Sequence, residues 1–318
     1  MFRHMRPHLA LLTAVITTTL VPGLPVQAQE ANDAALSDYA SESPPPLFAT
    51  SDAAIDAFKK VVEGDKPDDL AVLLGLDAAK AKASEGVMDS YSEIKSRLKQ
   101  KLVIEDVDGR KVLELGDDLW PFPFPVSPGD DGKWAFDTYA GLEEIANRLV
   151  GENELQTIST MRQYVDAQEE YAAEDRDDDG VLEYAQKLIS RAGQRDGLYW
   201  PVGEGEVDDS PAGEALAEAD VLSKAKAGEG YNGYHYRILT SQSDNIAGGQ
   251  FDYVINGNMI AGFGLAAWPV KYGVSGVHTF LVNRDGIVYE ADLGEQTDKV
   301  ASGIRRFNPN DDWQVVND

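Results

Sequence analysis

Not one cysteine occurs among the 318 residues of this chain. No disulfide can staple the fold, and no thiolate can act as a nucleophile or metal ligand. Stability has to come from packed apolar cores. Length allows for this: about 290 residues would follow the N-terminal segment described next, which by domain size favours two domains over one.

Met1 to Arg6 carries two arginines and no acid. The apolar, threonine-containing stretch Leu9 to Val21 is shorter than the ~20 residues needed to span a bilayer. Pro22 and Gly23 break it, and Val26-Gln27-Ala28 places small residues before Gln29. A positive start, an apolar middle and a small-residue end define a secretory signal. The sequence therefore predicts cleavage after Ala28 and a periplasmic or secreted product. No other stretch is apolar enough to predict a transmembrane segment in the mature chain.

The formal charge is −27; removing Arg3 and Arg6 with the signal makes it −29. Such a field repels phosphate backbones and anionic membrane surfaces, which argues against nucleic acid as a partner. Solubility outside the cytoplasm accounts for the charge. Attraction of a cation or a basic partner would require a local cluster.

Residues 29–46 are rich in Ala, Ser and Asp and end in Pro44-Pro45-Pro46, a flexible leader or stiff spacer. From Leu47 the pattern is helical, with Thr50 or Ser51 as cap and Ile55, Phe58, Val61 and Val62 on one face, ending near Gly64. Short helices follow around Leu70–Leu74 and Val87–Leu98. Strands then alternate through Leu102 and Ile104, turn at Asp108-Gly109 and return over Val112–Leu115. Trp120-Pro-Phe-Pro-Phe-Pro125 has proline at every second position, which reads as an edge strand with Phe122 and Phe124 facing the core. Lys133–Asp137 closes this sheet.

A second unit is expected from Gly151. Leu155, Ile158, Met161 and Val165 form the apolar stripe of a long helix continuing towards Tyr171 and Ala172. The acidic run Asp175–Gly180 ends it. Asp208–Gly230 reads as a surface excursion with one helix, and strands resume at Tyr234–Thr240, Phe251–Ile255, Ile260–Trp268, Val277–Val282 and Ile287–Ala291. The expected fold class is α+β: a domain over 47–150 and another over 151–318, each helix plus antiparallel sheet. The first could resemble the nuclear-transport-factor-2-type cone.

Several strings carry a family resemblance. Trp120-Pro-Phe-Pro, the run from Asp166-Ala-Gln-Glu-Glu-Tyr to Gly180-Val-Leu-Glu-Tyr-Ala-Gln, Asp196-Gly-Leu-Tyr-Trp-Pro, Phe251-Asp-Tyr-Val-Ile-Asn-Gly, and Ala267-Trp-Pro through Gly276-Val-His-Thr-Phe resemble the bacterial family DUF2950. The resemblance covers roughly Phe48 to Trp313 and implies identity without an activity. A weaker similarity links the helix, acidic loop and Gly276–Tyr289 segment to the globular part of type IV pilin-like proteins. The long apolar assembly helix of a pilus subunit is lacking; Gln156, Arg162 and Asp166 interrupt the stripe.

Only His235 and His278 remain after the signal, which excludes a three-histidine zinc site; HExxH is also absent. Ser275 near His278 lacks the GxSxG elbow. Both histidines lie in strand patterns. No glycine motif supports nucleotide binding. The strongest local signal is Asp175-Arg-Asp177-Asp-Asp179-Gly180-Val181-Leu-Glu183. It puts acids at positions 1, 3, 5 and 9 of an EF-hand-like loop, glycine at 6 and the Val181 carbonyl at 7, with Gln186 where the bidentate glutamate belongs. Asp175, Asp177, Asp179, Val181 and Glu183 are thus the candidate ligands of a calcium ion, the cofactor the sequence suggests.

The sequence therefore reads as an exported, non-enzymatic envelope protein, a binding or interaction module with an envelope protein as candidate partner. The alternative is a periplasmic hydrolase using a carboxylate pair on glycan or peptide. A deep cleft lined by two acids and aromatics would favour the hydrolase, a flat aromatic patch or an exposed sheet edge the module.

Overall fold

The computed structural model describes residues 37–84, 86–200, 209–213 and 230–317. The predicted signal, most of the leader and most of the 208–230 excursion lie outside them. The chain is α+β and divides into two compact units, one ending at Leu149 and the other beginning at Val150.

In the N-terminal unit, α1 (Ser51–Glu63) starts where the Thr50 hydroxyl accepts a hydrogen bond from Ala53 N at 3.2 Å. That satisfies one of the orphan amides of the first turn. Its buried face is Ile55, Phe58 and Val62. Then come α2 (Pro67–Leu73), α3 (Ala78–Ala83) and α4 (Val87–Gln100). Helix α3 was not foreseen in the sequence: it has no buried residue and rests on its cap, Asp77 Oδ1 accepting from Ala79 N and Lys80 N.

Strands β1 (Leu102–Val107) and β2 (Arg110–Leu115) form an antiparallel hairpin. Asp108 (φ 51°) and Gly109 (φ 79°) both sit in the left-handed region, as a tight two-residue turn requires. The sheet adds β3 (Trp120–Pro121), β4 (Val126–Pro128) and β5 (Trp134–Phe136) in the order β1-β2-β4-β5, with β3 also on β2. The proline run is a strand for two residues only; past Phe122, whose N–H still reaches Leu113 O at 2.7 Å, it bends. Phe122 and Phe124, two residues apart and so on one side of the run, enter the same core, their rings 5.7 Å apart and Phe58 4.9 Å from Phe122.

The long helix α5 spans Thr138–Tyr171, so it begins thirteen residues before the expected start at Gly151, and the division between units falls within it. Asp137 caps its first turn, accepting from Ala140 N at 3.1 Å. Glycine inside a helix costs only ~1 kcal/mol, and burial of Leu142, Ala146 and Val150 before it and of Met161 and Tyr164 after it outweighs that. The buried stripe is also rotated from the predicted one. Leu155 is 61% exposed, whereas Tyr164, Ala167 and Gln168 are buried.

The C-terminal unit is built on a five-stranded antiparallel sheet. After β6 (Tyr234–Leu239) come two separate two-stranded sheets, β7 (Ser241–Gln242) with β8 (Phe251–Asp252) and β9 (Val254–Ile255) with β10 (Asn258–Met259). The main sheet continues with β11 (Gly264–Pro269), β12 (His278–Asn283), β13 (Val288–Asp292) and β14 (Gln314–Val315), in the order β14-β13-β12-β11-β6. Helix α6 (Thr297–Ala301) lies near β11. The core packs the C-terminal half of α5 against Tyr234, Phe263, Leu265 and Phe280.

Candidate functional site

In the main sheet β6 is an edge strand: among the described residues its strand partner is β11, and on the other side only its first residue, Tyr234, is matched, exchanging backbone hydrogen bonds with Tyr231 at 2.7 and 3.0 Å. A cleft of about 930 Å³ touches Tyr234, His235, Tyr236 and Arg237, four consecutive residues of that strand. Successive side chains point to opposite faces, so a cavity reaching all four runs beside the strand, along its open edge. Helix α5 contributes Asp166 and Glu170, one turn apart, and Trp268 of β11 completes the aromatic lining.

The two faces of β6 are held differently. Tyr236 donates its hydroxyl hydrogen bond to Thr157 Oγ1 at 3.2 Å, towards α5, and burial raises its pKa. On the other face the Arg237 guanidinium lies 5.0 Å from the Trp268 ring and donates to the Ser302 carbonyl at 2.6 Å. Burial, then the neighbouring Arg305, lower the Arg237 pKa. His235 packs at 5.5 Å from Trp268, and burial lowers its pKa. Arg237 is therefore occupied, and Asp166 and Glu170 supply the acidic character of the helical wall.

His278 serves a different purpose from His235. Glu154 on α5 accepts from the backbone N–H groups of Val277 (2.8 Å) and His278 (2.9 Å), with the imidazole Nδ1 3.1 Å from Oε2. Tyr234 donates to the His278 carbonyl at 3.0 Å. Asn153 donates from Nδ2 to Ser275 O at 2.9 Å. The Gly276-Val-His-Thr string is where β12 is tied to the helix. Ser275 accepts from Lys271 N and donates back to Lys271 O, closing a turn.

The acidic loop follows α5. Asp175, Asp177 and Asp179 each bring one carboxylate oxygen within 4.8 Å of the others. Glu183 stands outside that set: its Oε2 accepts from Met259 N at 2.9 Å and so anchors β10. Val181 donates its N–H to Asp179 Oδ1 at 2.8 Å. Asn258 donates to Asp179 Oδ2 at 2.7 Å, and Gly180 N to Asp175 Oδ2 at 2.8 Å. The other Asp175 oxygen is buried without a donor. Partial burial and then repulsion from Asp179 and Asp175 raise the Asp177 pKa. Gly180, at φ 86°, makes the turn that position six demands.

Two parts of this unit went unnoticed in the sequence. Arg176 turns inward from the acidic run, its side chain only 8% exposed, and lies 5.5 Å from the Trp200 ring and 5.8 Å from that of Tyr171. Gln168, fully buried, both donates to Ala185 O and accepts from Ala185 N, so its amide mimics a strand partner. The available signals were a polar residue inside a helical stripe for Gln168 and a single cation within an acidic run for Arg176.

The family model described as "Protein of unknown function (DUF2950)" matches residues 46–316. No curated protein and no solved structure matches the chain. No helix among the described residues is long and apolar enough to cross a membrane.

Proposed function

This chain belongs to the DUF2950 family, and we propose that it is an exported, non-enzymatic interaction module that captures an extended, basic segment of an envelope protein along the edge of β6. The observation that carries this reading is the cleft beside that strand's open edge, lined by Asp166 and Glu170. An extended segment adds a strand to an exposed edge, with backbone hydrogen bonds for affinity and side-chain contacts for specificity. Carboxylates on the helical wall and aromatic rings along the strand both favour Lys or Arg side chains. The net charge of −27 draws such a segment in.

The cleft does carry the two acids and the aromatics that favour the hydrolase alternative, but that chemistry asks for carboxyls on opposite sides of a scissile bond. Asp166 and Glu170 come from one face of one helix, and the remaining lining among the described residues has no carboxylate. That arrangement suits recognition better than acid–base cleavage.

Titration calorimetry tests the reading with three peptides of alternating valine: one with lysine, one with glutamate, and the lysine peptide N-methylated at alternate residues. The lysine peptide should bind, more weakly as salt rises, and remain intact by mass spectrometry. Asp166→Asn with Glu170→Gln should weaken it several-fold. Equal binding of all three peptides would exclude strand capture, and cleavage of the peptide would turn the reading towards the hydrolase.

A second element of the proposal is a structural calcium ion in the acidic loop, favoured by the donorless buried oxygen of Asp175 beside Asp177 and Asp179. Calcium takes six to eight oxygens at ~2.3–2.6 Å and accepts water where protein ligands run out.

A further inference from the structure

The N-terminal unit contains a separate cavity of about 320 Å³. No sequence motif pointed to it, and strand capture by the C-terminal unit does not use it. Its lining is mainly apolar, with Leu70 and Leu74 from α2, Tyr91 and Ile94 from α4, and Phe122 and Phe124 from the bent proline run. Its size falls at the lower end of small-molecule sites, ~300–1,000 Å³.

One charged group at this cavity is incompletely used. Arg148 of α5 lines it, with Nε donating to Glu144 Oε1 at 2.7 Å and Nη2 to the Pro121 carbonyl at 2.9 Å. The guanidinium carbon lies 5.2 Å from the centre of the Trp120 ring, another lining residue. These three contacts hold the side chain in place. Nη1 is nevertheless buried and has no acceptor. A buried charged donor left without an acceptor carries its full desolvation cost. The other ion pair on the lining, Lys82 with Asp68 at 3.5 Å, is already matched.

We infer that this cavity binds a linear amphiphilic monocarboxylate, its chain among the leucines and phenylalanines and its carboxylate on the Arg148 guanidinium, which turns to present the unmatched Nη1. A guanidinium N–H directed to a carboxylate makes a charge-assisted bond of well-defined geometry. The distant negative charges of the chain are screened over ~8 Å at physiological salt; the nearby opposing charge is Glu144, already bonded to Arg148 Nε at 2.7 Å. At contact the decisive groups are Arg148 and the apolar wall. A compact cavity of this volume excludes a two-tailed lipid and admits a single chain.

The experiment is calorimetric titration of the full chain with decanoate, decanol and decyltrimethylammonium. Decanoate should bind at least tenfold more tightly than decanol, and the cation weakest of the three. Arg148→Gln should lose about ten- to hundredfold in decanoate affinity, the range of one charged hydrogen bond, and leave decanol unchanged. Ala81→Phe fills the cavity from α3, at a partly exposed position, and should abolish binding of both while the circular dichroism stays that of the parent. If Arg148→Gln fails to fold, the ranking of the three amphiphiles on the parent and the Ala81→Phe result decide. Equal affinity for decanoate and decanol, no binding of decanoate by the folded parent, or undiminished binding by Ala81→Phe would each overturn the inference. Failure of strand capture would leave these results unaffected, because no residue of the β6 cleft takes part.

Discussion

The carboxylate of Glu154 and the imidazole of His278, 124 positions apart in the chain, meet at 3.1 Å, and the same carboxylate holds the backbone N–H of His278 at 2.9 Å. Burial raises the Glu154 pKa, but the hydrogen bonds and charge of His278 outweigh it and hold the group below its ordinary 4.5. The hydrogen bond to Glu154 raises His278 above its ordinary 6.5, against a smaller opposing effect of burial. The histidine's contribution is complete below 6.5 and is lost as pH rises through its elevated folded value. That of the glutamate is complete above 4.5 and is lost as pH falls through its depressed one. The pair therefore stabilises most between pH 4.5 and 6.5.

Thermal melting of the parent and His278→Asn should show this window. The difference in Tm should be larger near ~pH 5.5 than in alkaline solution, where the elevated histidine loses its proton in the folded state as well. Glu154→Gln keeps an acceptor for the two N–H groups and loses the charge, at a cost of about 1–3 kcal/mol. A difference independent of pH would show that the histidine acts through packing alone.

Gly276 is required by close approach. A Cβ there would lie 2.0 Å from the Tyr234 hydroxyl oxygen and 2.4 Å from Cζ of the ring. At Gly141 a Cβ would stand 2.0 Å from Cδ1 of buried Phe124. Either glycine replaced by alanine should lower stability by about 1–3 kcal/mol or more, the usual cost of overpacking. Gly151→Ala meets no atom within 4 Å and should stabilise by up to ~1 kcal/mol through helix propensity. Denaturant unfolding of the three variants checks the ordering.

For the acidic loop, the parent should melt higher in millimolar calcium than in chelator, the stabilisation being no more than ~2.7 kcal/mol even at one hundred times the dissociation constant. Asp177→Asn with Asp179→Asn should remove the difference. In chelator Asp177→Asn should melt no lower than the parent, because the folded state raises the pKa of that carboxyl and so disfavours its charge. Identical melting of the parent in the two buffers would mark an ordinary solvated turn.

Export has a direct readout. Protein recovered from the periplasm or medium should begin at Gln29 or within a few residues of it by N-terminal sequencing. A mature product starting at Met1 would contradict a cleaved signal.

Local chemistry settled a good part of this molecule. The Thr50 cap, the Asp108-Gly109 turn and the paired apolar runs of β1 and β2 follow from rules acting over a few residues, so they could be read along the chain. The α+β class followed from the same patterns. The crowding of Asp175, Asp177 and Asp179 was equally legible, since all three belong to one turn. Other features needed the tertiary structure. The start of α5 at Thr138 depends on burial of Leu142 and Ala146, and the rotation of its stripe depends on which residues the sheet covers. The role of His278 depends on a glutamate 124 positions away. The cleft beside β6 exists because that strand falls at the sheet's edge, and the Arg148 cavity because α2, α3, α4, α5 and the proline run, distant in sequence, meet around it. Each is a matter of which distant segments come together, and the free energy that decides it resides in contacts no window of sequence contains.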